Sequence, residues 1–286
     1  MIFKFRGRQY ILALQKSIFP IRGIHEFVHN FKNEPNEYPL IINGNKLDNK
    51  VVLITGGYKG IGLHIAIRLI KDGAKVIITG RNENQLNKTI EKYDTNLLKG
   101  IVWDISDYNV SEHFAEAEAC FGRIDILVNN AGVTSDTKER PSFEAMSKKH
   151  YHYVHDINTI GSVRMCEEFA KRSNNGTILN IISNTSVLPA LDSYFTSKWA
   201  LYSYTKEAGR KYADKGLCIT VNGLCPGPIK TDMSFGPSTS LYRQAIPNHR
   251  LGLPEEIAEL AFVQIVAGLR GLNGEITVCD GGQILR

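Results

Sequence analysis

Tyr194 and Lys198 stand four residues apart in the stretch DSYFTSKWA, residues 192–200. On a helix an i,i+4 pair shares one face, so a phenol and an ammonium at this spacing reach the same ligand. A free phenol has a pKa of about 10, too high to exchange protons at neutral pH. A neighbouring ammonium favours the phenolate and lowers that value. Reaching neutrality takes about 3 units, roughly 4 kcal/mol of differential stabilisation. The pair would then serve as a general acid/base. The same spacing also arises on ordinary solvated helix faces, so it needs support from the rest of the chain.

The apolar pattern supplies the elements that would position such a pair. VVLIT (51–55) is a short continuous apolar run, as expected of a strand buried on both faces. Similar runs follow at 75–79, 100–104, 124–130, 176–182, 217–224 and 274–279. Helical spacing fills the intervals, over 61–71, 83–93, 110–121, 143–171, 194–213 and 254–268. Asn82 and Ser106 are expected N-caps, and Pro254 suits the first turn of the last helix. Strand and helix alternating in this way predict an α/β chain. Its body, 49–286, should be a single-domain doubly wound Rossmann fold, a seven-stranded parallel sheet with helices on both faces.

Composition narrows the function classes. At 286 residues with 43% apolar content, the chain can bury a sizeable core. The net charge of +5 is concentrated at the start, where residues 1–25 hold Lys4, Arg6, Arg8, Lys16 and Arg22 and no acid. Beyond residue 50 the charges nearly balance, and no basic stripe with interleaved aromatics marks a nucleic-acid surface. Five cysteines without a CxxC read as buried thiols of a reducing compartment, which implies a cytoplasmic protein. No apolar stretch approaches the length of a membrane-spanning helix. Residues 1–48 form an arm with three open readings. It packs on the body or a neighbouring subunit, it lies on an anionic membrane surface through residues 1–30, or it is a targeting or disordered tail. Residues 33–49 read as its linker to the body.

A glycine turn follows the first strand directly. TGGYKGIG places Thr55, Gly56, Lys59, Gly60, Ile61 and Gly62 at the mouth of a helix. Glycines there permit a tight turn and close backbone approach to a pyrophosphate, which the helix N-terminus attracts. A ligand-free βα turn is the competing reading. A carboxylate ending the second strand would bind the ribose 2′-OH of NAD. This strand ends Thr79, Gly80, Arg81 instead. Gly80 is expected to leave room, and Arg81 can hold a 2′-phosphate by a bidentate contact with Lys59 adding charge. The expected cofactor is therefore NADP(H).

With these motifs in register the body resembles the short-chain dehydrogenase/reductase family. TGGYKGIG is similar to its glycine motif, and Asn129-Asn130-Ala131-Gly132 to its NNAG motif. Asp104, with Ile105 after it, sits where the family's acid meets the adenine. Asn158, Ser183, Tyr194 and Lys198 match its catalytic tetrad in order. Pro226, Gly227, Ile229 and Thr231 match the loop that grips the nicotinamide carboxamide. The resemblance covers about 49–283 and leaves the arm aside. It points to the compact type that includes 3-oxoacyl-(acyl carrier protein) reductases and polyol dehydrogenases. One departure stands out, since Ser183 precedes Tyr194 by eleven residues, closer than the family's usual spacing. Ser186 competes for the role, but Ser183 ends an apolar strand as the motif requires.

The resemblance implies hydride transfer between a nicotinamide and a small-molecule ketone or secondary alcohol. Tyr194 would carry the proton, with Lys198 lowering its pKa and holding the nicotinamide ribose. Ser183 would donate to the developing oxyanion. Asn158 would hold a water linking Lys198 to solvent. The family further implies a homodimer or homotetramer, pairing through the helices at 143–171 and 194–213. Val187, Leu188 and Leu191, facing Phe235, Leu241, Tyr242 and Ile246, are expected to form an apolar wall and lid suited to an apolar or acyl carbonyl. His150, His152 and His155 lie close in sequence but lack a carboxylate-rich shell, so they read as surface or interface histidines rather than a metal site. A catalytically silent dinucleotide-binding protein, acting through a partner or membrane surface, is the alternative class.

Overall fold

The computed structural model describes residues 46–93, 95–134, 148–187, 192–234, 246–269 and 271–285. The expected arm at 1–45, the helix start at 143–147, and Leu188, Leu191, Phe235, Leu241 and Tyr242 lie outside these residues. The described elements run β1 (Val51–Ile54), α1 (Gly60–Ile70), β2 (Lys75–Gly80), α2 (Glu83–Tyr93) and β3 (Leu98–Val102). There follow α3 (Val110–Phe121), β4 (Ile126–Asn129), α4 (Lys148–His155), a π-helical turn (Asp156–Gly161) and α5 (Ser162–Arg172). The chain continues through β5 (Asn175–Ile181), α6 (Ser193–Asp214), β6 (Cys218–Pro226), α7 (Pro254–Gly268) and β7 (Ile276–Cys279).

All seven strands are parallel, in the order β3-β2-β1-β4-β5-β6-β7. β1 and β4 are buried at every residue because helices cover both faces. Successive side chains alternate between those faces. Ile101 joins Trp103, Phe114, Phe169 and Tyr212 in a core against α3, α5 and α6. A side chain at its neighbour Gly100 would instead strike Leu86 and Ile90 of α2. On that second face α1 meets α7, where Arg68 donates to Glu259 at 2.7 Å and stacks over the Phe262 ring. The direction of chain progression reverses between β1 and β4. In such sheets a ligand crevice opens beyond the carboxyl ends of the strands at that point.

Two local expectations need correction. The helix expected over 143–171 is not regular, because a six-residue π turn separates α4 from α5. Ser106 is not an N-cap. Its amide and hydroxyl both donate to Asp104, and α3 begins after Asn109. Asn82 does cap α2, its Oδ1 accepting from the Gln85 amide at 3.0 Å. Pro254 opens α7 as expected.

Candidate active site

The glycine turn is fastened to the end of β4 by side chains of both segments. Thr55 Oγ1 accepts from the amides of Asn130 and Ala131, each at 3.0 Å. Asn130 Nδ2 donates back to the carbonyls of Thr55 and Gly56 at 3.0 and 2.9 Å. Gly56 takes a φ of 62°, which a side chain would strain. A Cβ on Gly62 would lie 2.4 Å from Asn130 Nδ2, so the clamp needs glycine there. Gly60 faces open space apart from the Thr231 methyl at 3.5 Å, with Ile61 beside it entering α1. No side chain caps α1, and its first turn holds no acid. The free amides and a first turn without an acid suit a bound phosphate.

Tyr194 and Lys198 occupy the first turns of α6. Asp192 starts this helix, its Oδ1 accepting from the amides of Tyr194 and Phe195 at 2.6 and 3.2 Å. Lys198 is buried and donates to the carbonyl of Ile181, the last residue of β5, at 3.0 Å. It forms no ion pair among the described residues. Burial lowers its pKa from 10.5 to about 8, with the nearby Cys225 acting in the opposite direction. A Cβ on Gly132 would lie 3.5 Å from Lys198 Nζ and 3.2 Å from Asn158 Oδ1, so both atoms border that glycine.

Asn158 lies in the π turn and is fully buried. Its Oδ1 accepts from the Val133 amide at 2.8 Å, and its Nδ2 donates to the Val133 carbonyl at 2.9 Å and to Ser197 Oγ at 3.0 Å. Ser197 Oγ donates in turn to the Tyr194 carbonyl at 2.7 Å. The Asn158 side chain thus binds the segment after β4 to the first turn of α6. A π turn adds one residue to a helical circuit and so re-aims the side chains at it.

Ser183 and Ser186 have different partners. Ser186 is buried with its hydroxyl on the Ser183 carbonyl at 2.7 Å and beside Cys225 Sγ at 3.5 Å. Ser183 Oγ accepts from the amide and hydroxyl of Thr185 at 3.2 and 2.9 Å, so its own proton is left to donate.

At the opposite end Arg81 donates to Tyr153 Oη at 3.1 Å, and its guanidinium lies 3.7 Å from Asp104 Oδ2. The Tyr153 hydrogen bond and the charge of Asp104 hold Arg81 firmly protonated, above its ordinary range. The space expected at Gly80 is taken, since the Tyr58 ring lies 2.2 Å from where a Cβ would be. Glycine there admits the ring rather than a ligand. Lys59 pairs loosely with Asp232 at 3.5 Å across an exposed surface. Ile105 is buried against Gly161 of the π turn. The described residues after β6 pack against the chain end. Pro226 ends the strand, Gly227 lies against Asp280, and the buried Ile229 pairs with Gly252 and accepts from the Thr231 amide at 2.8 Å.

Some expected features sit elsewhere. Ile246, expected in the lid, is buried against Gly281, whereas Val187 is exposed at the turn after Ser183. His155 stacks on Tyr151 and meets Thr196 Oγ1 at 3.0 Å. No group of three potential metal ligands occurs among the described residues. No described helix is long and apolar enough to cross a membrane. Sequence reasoning missed Tyr153, Val133, Ser197, Thr185 and the Ile181 carbonyl. A hydroxyl in the turn after Lys198's tyrosine partner was a readable signal for Ser197, but a backbone carbonyl carries none.

A family model described as short chain dehydrogenase matches residues 50–238. A short chain dehydrogenase/reductase of Aspergillus novofumigatus is 32% identical, over 83% of this chain and 96% of that protein. The 3-oxoacyl-[acyl-carrier-protein] reductase of Chlamydia muridarum is 31% identical, over 82% and 98%. A solved structure of a short chain dehydrogenase from Bacillus anthracis superposes with a TM-score of 0.75 at 28% identity, covering 83% of this chain and 98% of its own. Together with the crevice geometry these matches place the chain in the short-chain dehydrogenase/reductase family of nicotinamide-dependent oxidoreductases.

Proposed function

We propose that the chain binds NADP(H) and interconverts a ketone and a secondary alcohol, with an apolar or acyl carbonyl as substrate class. The observation that carries this reading is Lys198. Its ammonium is buried and unpaired with any acid among the described residues, at the strand ends that border the glycine turn. A buried cation without a counter-charge is costly, and it is kept where a reaction uses it.

The cofactor, when bound, supplies or accepts the hydride. The glycine turn and the α1 amides hold its phosphates. Thr231 lies next to Gly60, where the loop after β6 meets the turn. Arg81, steadied by Tyr153 and Asp104, supplies the cation for a 2′-phosphate, and no carboxylate ends β2 to favour NAD. Tyr194 exchanges a proton with the substrate oxygen, and Lys198 favours its phenolate. Ser183 donates to the same oxygen as charge develops there. Val187, exposed beside Ser183, supports an apolar substrate. A homo-oligomer fits the exposed Ile160 and Trp199 on the helical segments expected to pair.

The test is fluorescence titration with NADPH and NADH, followed by a panel of ketones. Arg81→Ala should weaken NADPH about tenfold or more and leave NADH nearly unchanged, because a charge-assisted bidentate contact is lost. Equal effects on both would overturn the NADP assignment. Tight binding without turnover on any ketone would favour a silent binding protein.

A further inference from the structure

We propose that Thr185 is a positioning residue for Ser183: it fills both lone pairs of the Ser183 hydroxyl and so commits the single proton of that group to the substrate oxygen. The proposal rests on the reading of Ser183 as the donor to that oxygen. A serine hydroxyl offers one proton and two acceptor sites. Here the Thr185 amide donates to one site at 3.2 Å and the Thr185 hydroxyl to the other at 2.9 Å. Ser183 Oγ is thereby denied a further donor, and its O–H points away from two incoming hydrogens. An oxygen that accepts two hydrogen bonds is also polarised to donate more strongly. A donor already aimed where charge develops needs no reorganisation during the reaction.

The turn that carries these atoms is held from three sides. The Ser183 carbonyl accepts from the amide and hydroxyl of Ser186 at 3.0 and 2.7 Å. Asn184 Nδ2 donates to Gln283 Oε1 at 2.8 Å and to Asp280 Oδ2 at 3.3 Å, joining the turn to the chain after β7. The Ile182 amide donates to the Leu224 carbonyl of β6 at 2.7 Å. The three hydroxyl-bearing residues of the turn therefore differ in task. Ser183 and Ser186 are both buried, Ser186 fastens the turn through its hydroxyl on the Ser183 carbonyl, and Thr185 is half-buried with its hydroxyl spent on Ser183. Any residue at 185 supplies the amide, but only Thr or Ser supplies the second hydrogen bond.

The test compares Thr185→Val, Thr185→Ser, Ser183→Ala and the double variant Ser183→Ala/Thr185→Val in the full-length protein, with NADPH and an accepted ketone. Thr185→Val should lower kcat about tenfold, the loss expected for one hydrogen bond, with KM and the NADPH dissociation constant within about twofold. Thr185→Ser should restore kcat to within about twofold of the parent. In the Ser183→Ala background, adding Thr185→Val should change kcat by less than about twofold, because the two residues act as one unit. The thermal midpoint of each variant without cofactor reports folding separately, and Thr185→Ala replaces the valine variant if that protein does not fold. Full activity in Thr185→Val, or an equal loss with and without Ser183, would overturn the proposal while leaving Ser183 in its role. Parental activity in Ser183→Ala would remove the role of Ser183 itself, and the proposal with it.

Discussion

Lys198 Nζ donates to the carbonyl of Ile181 at 3.0 Å. Ile181 ends β5, two residues before Ser183. One hydrogen bond therefore ties the amine on α6 to the strand that presents the hydroxyl donor. Through Asn158 and Ser197 the same helical turn is tied to the segment following β4. The candidate acid, its amine and the candidate oxyanion donor are set by these links between strand ends rather than by the long helix alone.

The first prediction concerns pH and stability. Burial places Lys198 at about 8 in the folded protein, below its ordinary 10.5. The folded state thus binds this proton less tightly than the unfolded chain. The penalty is complete below the folded value and vanishes above the unfolded one, so stability from this site rises with pH across that window. Its size is about 3 kcal/mol. Urea unfolding of cofactor-free Lys198→Met and parent protein should show the variant's relative stability declining as pH is raised from about 8 to about 10.5. A difference that does not vary with pH would contradict the assigned burial cost.

Gly62→Ala places a methyl against Asn130 Nδ2 and the Gly56 carbonyl. The Asn130 clamp must yield, which costs about 1–3 kcal/mol of stability. NADPH and NADH should weaken together, by about tenfold or more, because the phosphate turn serves both. Calorimetric titration checks this. An effect confined to one cofactor would show that the turn does not hold the shared pyrophosphate.

Asn158→Ala leaves the Val133 amide and the Ser197 hydroxyl without their buried partner. The unfolding free energy should fall by about 2 kcal/mol, and kcat should fall more than NADPH affinity. Chemical denaturation and steady-state kinetics read the two effects separately. Unchanged stability would mean that the clamp does not fasten the segment after β4.

Asp232→Asn frees Lys59 from its exposed partner. NADPH affinity should rise about twofold to fivefold at low salt, NADH affinity should not, and the gain should shrink at high ionic strength. No change in NADPH affinity would remove Lys59 from the cofactor site.

The sheet was legible because buried parallel strands leave unbroken apolar runs, as in VVLI of β1 and ILVN of β4. The positions of Tyr194 and Lys198 in α6 were legible from spacing. What spacing could not express was a π turn, since one extra residue per circuit hardly alters a helical pattern around Asn158. Gly80 was misjudged for a similar reason. A glycine signals that something approaches closely, but the approaching group is Tyr58, distant enough in sequence to leave no pattern. The Arg81–Tyr153 hydrogen bond and the Lys198–Ile181 contact join segments that meet only in the folded sheet. Asp104 reads at once as a partner for Ser106 and as a counter-charge for Arg81, and only coordinates display both.

The most direct measurement of the central claim is the pH dependence of kcat/KM for NADPH-driven ketone reduction by the parent and by Tyr194→Phe, with NADPH affinity measured alongside. The phenylalanine variant should lose about 10²–10⁴-fold in kcat/KM, retain NADPH affinity within a few-fold, and lack the ionisation seen in the parent. Parental turnover with the parental pH profile would show that the phenol of residue 194 carries no proton in the reaction.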